Sequence, residues 1–166
     1  MTVHPTHEQQ RVHAAILTLS DTRTQETDKG GQTIQALLND AQFDIVAYKI
    51  LKDDAPALTA QLAAWCNDSS INTIILTGGT GFTKRDVTYD VVSQLLDKEM
   101  SGFGELFRML SYDDIGPKAM FSRAIAGAVK GTAIYALPGS TNAVTLGMTK
   151  LIVPTVQHFL GELKRQ

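Results

Sequence analysis

Three glycines fall within five residues in Thr77-Gly78-Gly79-Thr80-Gly81, and the charged run Lys84-Arg85-Asp86 follows closely. Glycines at the end of a strand permit positive φ and close backbone approach. Backbone N–H groups clustered in such a loop form a concavity that suits an anion. A helix starting just beyond adds the positive end of its dipole. Phosphate is the natural guest, and a turn that simply requires glycine is the other reading. A Walker A loop counted from Gly78 fails, because Thr83 stands at the second glycine and Arg85 at the Ser/Thr metal ligand. A dinucleotide fingerprint counted from Gly79 fails too, since Lys84 occupies its last glycine.

The carboxylates nearby have two readings each. Asp86 beside a phosphate loop makes sense with Mg²⁺ between the two negative groups, and equally as a cap on the next helix, for which Thr88 is the alternative. Asp53 and Asp54 follow a strand; they supply a further carboxylate to the site or form a solvated turn before Ala55-Pro56. Glu105 and Arg108, three residues apart, read as a helical surface ion pair. His4, His7, His13 and His158 are scattered, with no spacing for zinc. Cys66, next to Trp65 on an apolar helix face, reads as a buried thiol and has no second cysteine to pair with. No G-x-S-x-G elbow is present.

The elements that position these residues alternate. His13 to Leu19 is a short apolar run without helical period, hence a buried strand. The polar stretch from Ser20 to Gly31 leads to a helix with Ile34, Leu37 and Leu38 on one face. Phe43 to Leu51 reads as a second strand, Ala55 to Cys66 as a helix, and Asn72 to Leu76 as a third strand. Tyr89 to Leu96 reads as a helix, and the run from Ser101 to Gly116 as a loop entering another. Ala124 to Val129 and Thr132 to Leu137 form strands joined at Lys130-Gly131, too tight for anything but an antiparallel pair. Ser140 caps a further helix, and Pro154 interrupts or starts the last one. This order predicts an α/β fold with helices on both faces of a mostly parallel mixed sheet that has one antiparallel strand. Ligands bind beyond the carboxyl ends of parallel strands in such sheets. The loops at 20–31, 52–54, 77–88 and 137–140 are therefore expected to share one rim.

The chain has 166 residues, a length for one domain. Residues 1–12 read as a flexible tail and 13–166 as the domain. With 15 basic and 17 acidic residues and no basic cluster, nucleic acid and anionic membrane are not expected partners. No apolar run approaches the ~20 residues of a spanning helix, and the polar N-terminus lacks a signal-peptide core. The expected location is cytoplasmic.

Four segments together, LTGGTGFTKRDVTYD, SGFGELFR, SRAIAG and ALPGSTNAV, resemble in wording, order and spacing the signature segments of the MoaB/MogA molybdenum cofactor biosynthesis family. The gephyrin G domain is similar. The resemblance runs from about Ala14 to Leu163, with length and tail most similar to the MoaB branch. It implies a three-layer α/β/α molybdopterin-binding fold assembled as a homo-oligomer, a trimer or hexamer. It implies molybdopterin and ATP as substrates, Mg²⁺ as cofactor, and other molybdenum cofactor enzymes as partners. The implied reaction joins AMP to the terminal phosphate of molybdopterin and releases pyrophosphate. A non-catalytic molybdopterin carrier is the alternative.

Carried over by position, the resemblance makes Asp86 the family's essential aspartate and Asp53 a second functional carboxylate, both candidate Mg²⁺ ligands. It assigns Thr77, Gly78, Gly79, Thr80 and Gly81 to phosphate binding. Ser20 and Asp21 border the nucleotide, and Pro138, Gly139 and Ser140 lie near the ligand phosphate. Gly102, Phe103, Gly104 and Glu105 line the pterin side. Two departures stand out. Ser140-Thr141-Asn142-Ala143 replaces a Pro and Lys often found there in adenylylating members, and Gly30 replaces a serine usual in the MoaB branch.

Overall fold

A computed structural model describes residues 10–165. Six strands form one sheet in the order β2-β1-β3-β6-β5-β4. They are β1 (His13–Leu19), β2 (Asp44–Leu51), β3 (Thr73–Thr77), β4 (Lys98–Glu99), β5 (Ile125–Val129) and β6 (Thr132–Leu137). The pairs β1–β2, β1–β3 and β3–β6 are parallel, whereas β5 runs antiparallel to both its neighbours. β5 is thus the one reversed strand of a mostly parallel mixed sheet. The turn that reverses it has positive φ at both Lys130 (50°) and Gly131 (81°), which matches the right-handed twist of a two-residue hairpin.

The helices are α1 (Lys29–Asp40), α2 (Ala55–Cys66), α3 (Thr88–Leu95), α4 (Ser101–Ile115), α5 (Thr141–Gly147) and α6 (Val153–Lys164). Every residue of β3, β5 and β6 is buried, because helices cover the sheet on both sides. On one side, Ile34 and Leu38 of α1, Phe103 and Phe107 of α4, Val144 of α5, and Val156 and Leu160 of α6 pack on Ile16, Ile75 and Tyr135. On the other, Leu58, Leu62 and Trp65 of α2 and Val91 and Val92 of α3 pack on Leu17, Ile74, Leu76 and Ile134. Alternate residues of one strand feed opposite cores, so Ile74 and Ile75 face apart. The result is the three-layer α/β/α architecture expected.

Several local expectations change. The glycines at 30 and 31 belong to the first turn of α1 rather than to the preceding loop. Gly31 is required there: a Cβ would stand 2.2 Å from Asp28 Oδ2 and 2.6 Å from the Tyr48 hydroxyl. The run from Ser101 is helical from its first residue, not a loop. Its Gly104 leaves room for Arg108, whose Nη2 would lie 2.7 Å from a Cβ. α5, a π-helical segment at 148–152 and α6 follow one another without a break, and the π segment comes just before Pro154, which has no N–H to donate to the helical ladder. Of the tail expected at 1–12, residues 1–9 lie outside the described residues. Its last three are tied to the domain: Val12 is buried, Arg11 pairs with Asp44 at 2.9 Å, and the Gln10 carbonyl accepts from Gln157. Among the described residues no helix is long and apolar enough to cross a membrane.

Candidate active site

The expected rim forms. The loops after β1, β2, β3 and β6 meet around a cleft of 410 Å³ that Ser20, Asp21, Asp53, Gly78, Arg85 and Gly139 line. The glycine loop at its base adopts the backbone its sequence allows, with φ of 95° at Gly78 and 71° at Gly79. A side chain at Gly78 is excluded on contact as well, since its Cβ would meet the Leu19 carbonyl oxygen at 2.4 Å.

The loop spends its carbonyls on the fold. Gly78 O accepts from the Thr88 hydroxyl, Gly79 O from the Thr88 amide, Thr80 O from the Arg123 amide and Gly81 O from the Arg123 guanidinium. Among the described residues the N–H groups of Gly79, Thr80 and Gly81 make no hydrogen bond. Donors left free beside carbonyls already engaged are what an anion-binding loop requires. Thr77 donates its hydroxyl to the Pro138 carbonyl at 3.0 Å, fastening this loop to the one after β6.

Three carboxylates approach the loop. Asp53 leans over it: a Cβ at Gly79 would be 3.4 Å from Asp53 Oδ1. That oxygen is buried and has no hydrogen-bond partner. Burial raises the Asp53 pKa, the charges of Asp21 and Asp86 raise it further, and Arg85 opposes them. Asp54, by contrast, caps α2 by accepting from the Ala57 amide at 3.0 Å. The acidic pair thus divides into one site residue and one cap.

Asp86 does not cap α3, and Thr88 does not either; Val87 stands at the cap position and makes no side-chain hydrogen bond there. Instead Asp86 Oδ2 accepts from the Thr83 amide at 3.0 Å and its hydroxyl at 2.7 Å, closing the turn after Gly81. Asp21 Oδ1 accepts from the Asp53 amide at 3.1 Å, and Asp21 Oδ2 pairs with Arg85 at 3.0 Å. Ser20 accepts from the Thr22 and Arg23 amides, so its oxygen orders its own loop. Ser140 caps α5 through the Ala143 amide.

Mg²⁺ fits this donor set in part. The unpartnered Asp53 oxygen and the mutual repulsion of three carboxylates are what a cation relieves. No group of three or more protein ligands gathers at one point among the described residues. Mg²⁺ ordinarily binds through one or two carboxylates, with substrate phosphates and water completing its shell.

A second cavity of 350 Å³ opens along the same rim, lined by Ser101, Gly104, Glu105, Arg108, Ser122 and Arg123 among others. Of the four residues expected on the pterin side, Gly104 and Glu105 line it. Gly102 is exposed, with nothing within 4 Å of where a Cβ would stand. Phe103 turns into the core against Phe107 and Tyr135, with ring centroids 6.3 and 5.5 Å away. Arg108 does not pair with Glu105; it donates to the carbonyls of Ser122 and Ala124. Arg108 and Arg123 are the residues that spacing alone missed. Both lie in the resembling segments, but their partners are carbonyls and rings that no local pattern announces.

Beneath the first loop, Asp28 is fully buried. It accepts from Thr18 at 2.6 Å, from the Gly31 amide at 3.0 Å and from the Tyr48 hydroxyl. Burial and that carboxylate push the Tyr48 phenol well above its ordinary range. Cys66 is half-buried and its thiol is pushed up by burial, against the character of a nucleophile.

A glycine loop with free N–H groups, ringed by carboxylates, thus stands at the carboxyl rim of the sheet in a three-layer α/β/α protein. The sequence model of the family described as "Probable molybdopterin binding domain" matches residues 15–158. The chain belongs to this MoaB/MogA molybdenum cofactor biosynthesis family. It is 51% identical over 163 residues to a molybdenum cofactor biosynthesis protein B of Staphylococcus epidermidis, covering 96% of this chain and 93% of that one. The Bacillus subtilis protein of the same name is 46% identical over 155 residues, covering 93% and 91%. Among solved structures, a molybdenum cofactor biosynthesis protein B superposes with a TM-score of 0.91 at 48% identity, over 95% of this chain and 98% of that one. The tungsten cofactor synthesizing protein MoaB from Pyrococcus furiosus superposes at 0.84 and 34%, over 93% and 98%.

Proposed function

We propose that this chain binds molybdopterin and transfers AMP to its terminal phosphate from Mg-ATP, releasing pyrophosphate. The observation that carries this reading is Asp53, held with an unpartnered oxygen over a loop whose N–H groups are free. Such an arrangement seats a phosphate on the loop and leaves a carboxylate where a cationic or proton-bearing group must pass. The terminal phosphate oxygen of molybdopterin attacks the α-phosphorus of ATP, the bond to the β-phosphate oxygen breaks, and pyrophosphate leaves with the electron pair. Transfers of this kind ask mainly for alignment and charge neutralisation, not a protein nucleophile. Mg²⁺, when held by Asp53 and Asp86, neutralises triphosphate charge.

The residues of the chain have separate tasks in this reading. Gly79 to Gly81 donate N–H groups to one phosphate, Asp21 and Arg85 border the nucleotide, and Gly139 closes the far wall. The adjoining cavity takes the pterin, whose ring carries donors for Glu105 and acceptors for Arg108. The apolar face made by Met109, Tyr112, Ile115, Met120 and Phe121, exposed between 56% and 67%, is the surface through which copies of the chain assemble.

One observation favours a carrier instead. The turn after Gly139 offers no cation, and the Ser140 oxygen is engaged in capping α5. The deciding experiment is pyrophosphate release by the purified protein with molybdopterin, ATP and Mg²⁺. Release that requires all three establishes the transferase. Tight molybdopterin binding without release establishes the carrier.

A further inference from the structure

Arg123 lines the second cavity, but its guanidinium is turned to partners within the protein. Its Nε and Nη2 donate to the Gly81 carbonyl at 3.1 and 2.7 Å, and its Nη1 pairs with Asp90 at 3.1 Å. The guanidinium carbon lies 4.8 Å from the Phe82 ring centroid and 4.9 Å from that of Tyr89. Its own amide donates to Thr80 O at 3.3 Å. The side chain is only 20% exposed.

These contacts all fall on one structural unit. Thr80, Gly81 and Phe82 form the second half of the glycine loop, and Tyr89 and Asp90 belong to the first turn of α3. Between them lies the turn that Asp86 closes on Thr83. Gly81 carries no side chain because Asp86 is packed against it: a Cβ would be 2.7 Å from Asp86 Oδ2. A displacement of the Gly81 carbonyl therefore moves both the free N–H groups of the loop and the Asp86 carboxylate.

A planar fork with two parallel donors, faced by aromatic rings, fixes position and angle together. Lysine supplies a point charge and cannot do both. We propose that Arg123 is a positioning residue. It sets the Gly81 carbonyl, and through it holds the loop amides and Asp86 in register with the cleft. The proposal rests on the functional reading of that cleft only for its effect on turnover.

The test uses the full-length chain and the variants Arg123→Lys and Arg123→Ala. Amide exchange at Thr83, whose N–H is held by Asp86, is read by NMR. AMP transfer is read by pyrophosphate release with Mg-ATP and molybdopterin. Both variants are expected to expose the Thr83 amide at least about tenfold more often, as a locally opened segment does. The kcat is expected to fall roughly 10²-fold, the scale of a ~1 Å misplacement. Millimolar guanidinium is expected to restore turnover to Arg123→Ala, and methylammonium is not. Wild-type exchange at Thr83 in Arg123→Lys overturns the proposal, whether or not the alanine variant folds. If the unaltered protein releases no pyrophosphate while Thr83 loosens in the variants, the transferase reading fails and the positioning role stands.

Discussion

Arg85 Nη2 lies 3.0 Å from Asp21 Oδ2, so the loop after β1 and the loop after β3 are tied across the mouth of the cleft. The Arg85 side chain is 78% exposed and Asp21 23%. A pair this open contributes about 0–1 kcal/mol to stability. Its significance is in where it leaves a guanidinium: beside the phosphate loop, on a partner it can exchange. Arg85→Ala is expected to shift the melting temperature by no more than about 4 °C. It is expected to raise the half-saturating ATP concentration roughly tenfold, the scale of one charge-assisted hydrogen bond. An unchanged ATP dependence removes Arg85 from nucleotide binding.

Asp53 gives a pH signature. Its folded pKa is raised, chiefly by burial and then by Asp21 and Asp86. The fold therefore disfavours its ionised form. Stability is lost as pH climbs from the ordinary carboxylate value through the raised one, and the loss is complete above it. Asp53→Asn is expected to raise the melting temperature at pH 7 and to have no such effect below about pH 3.5, where the unfolded carboxyl is itself protonated. Mg²⁺ is expected to stabilise the native chain at pH 7 and to lose that effect in Asp53→Asn. Equal Mg²⁺ responses in the two proteins remove the metal from Asp53.

Asp86 and its turn can be separated by substitution. Asn keeps an oxygen for the Thr83 amide, and Ala does not. If Asp86 supplies charge to the reaction, both variants are expected to lose about 10²-fold or more in kcat. Only the Ala variant is expected to loosen the turn. Native turnover in Asp86→Asn would confine the residue to a structural role.

Gly78 is expected to tolerate no side chain. A residue with a Cβ would carry φ near 95° and place that carbon 2.4 Å from the Leu19 carbonyl. Strained backbone alone costs on the order of 1–3 kcal/mol, and the contact adds to it. Thermal melting of Gly78→Ala checks this; a loss under about 1 kcal/mol would mean the loop has room to shift.

The apolar face on α4 and the 3-10 helix at 116–121 gives a prediction about assembly. Met109→Asp and Met120→Asp are expected to convert an oligomer to monomers with the fold intact, as read by sedimentation and circular dichroism. A native chain that sediments as a monomer removes the oligomer from the functional reading.

Legibility in the sequence followed burial. β1 and β6 were readable to the residue because central parallel strands, covered on both faces, are unbroken apolar runs. α2 was equally clear, with Leu58, Leu62 and Trp65 at helical spacing. The first turn of α4 does not stand out as helix in the sequence because Gly102 and Gly104 weaken helix propensity. Gly104 leaves room for Arg108 one turn on and for the Ala124 carbonyl, which would lie 2.9 Å from a Cβ and is outside any local window. β4 has two residues and too little length for a period. The glycine loop, Asp53 and Asp86 were visible as residue types, but their alternatives were not separable. Cap and site differ only in whether a carboxylate meets a donor: Asp54 accepts from the Ala57 amide, and Asp53 Oδ1, one residue earlier, is left without a partner.

The reversed strand has a consequence for how the site is supplied. A wholly parallel sheet offers its carboxyl rim only residues that come after strands; whatever precedes a strand emerges at the far edge. Because β5 runs backwards, its entrance opens onto the working edge. Ser122 and Arg123 arrive there from upstream of a strand, and the chain returns through the Lys130-Gly131 turn to deliver Pro138 and Gly139 from downstream of the next. One hairpin thus brings both its open ends to the rim, and lengthening it at the turn would leave the cleft untouched.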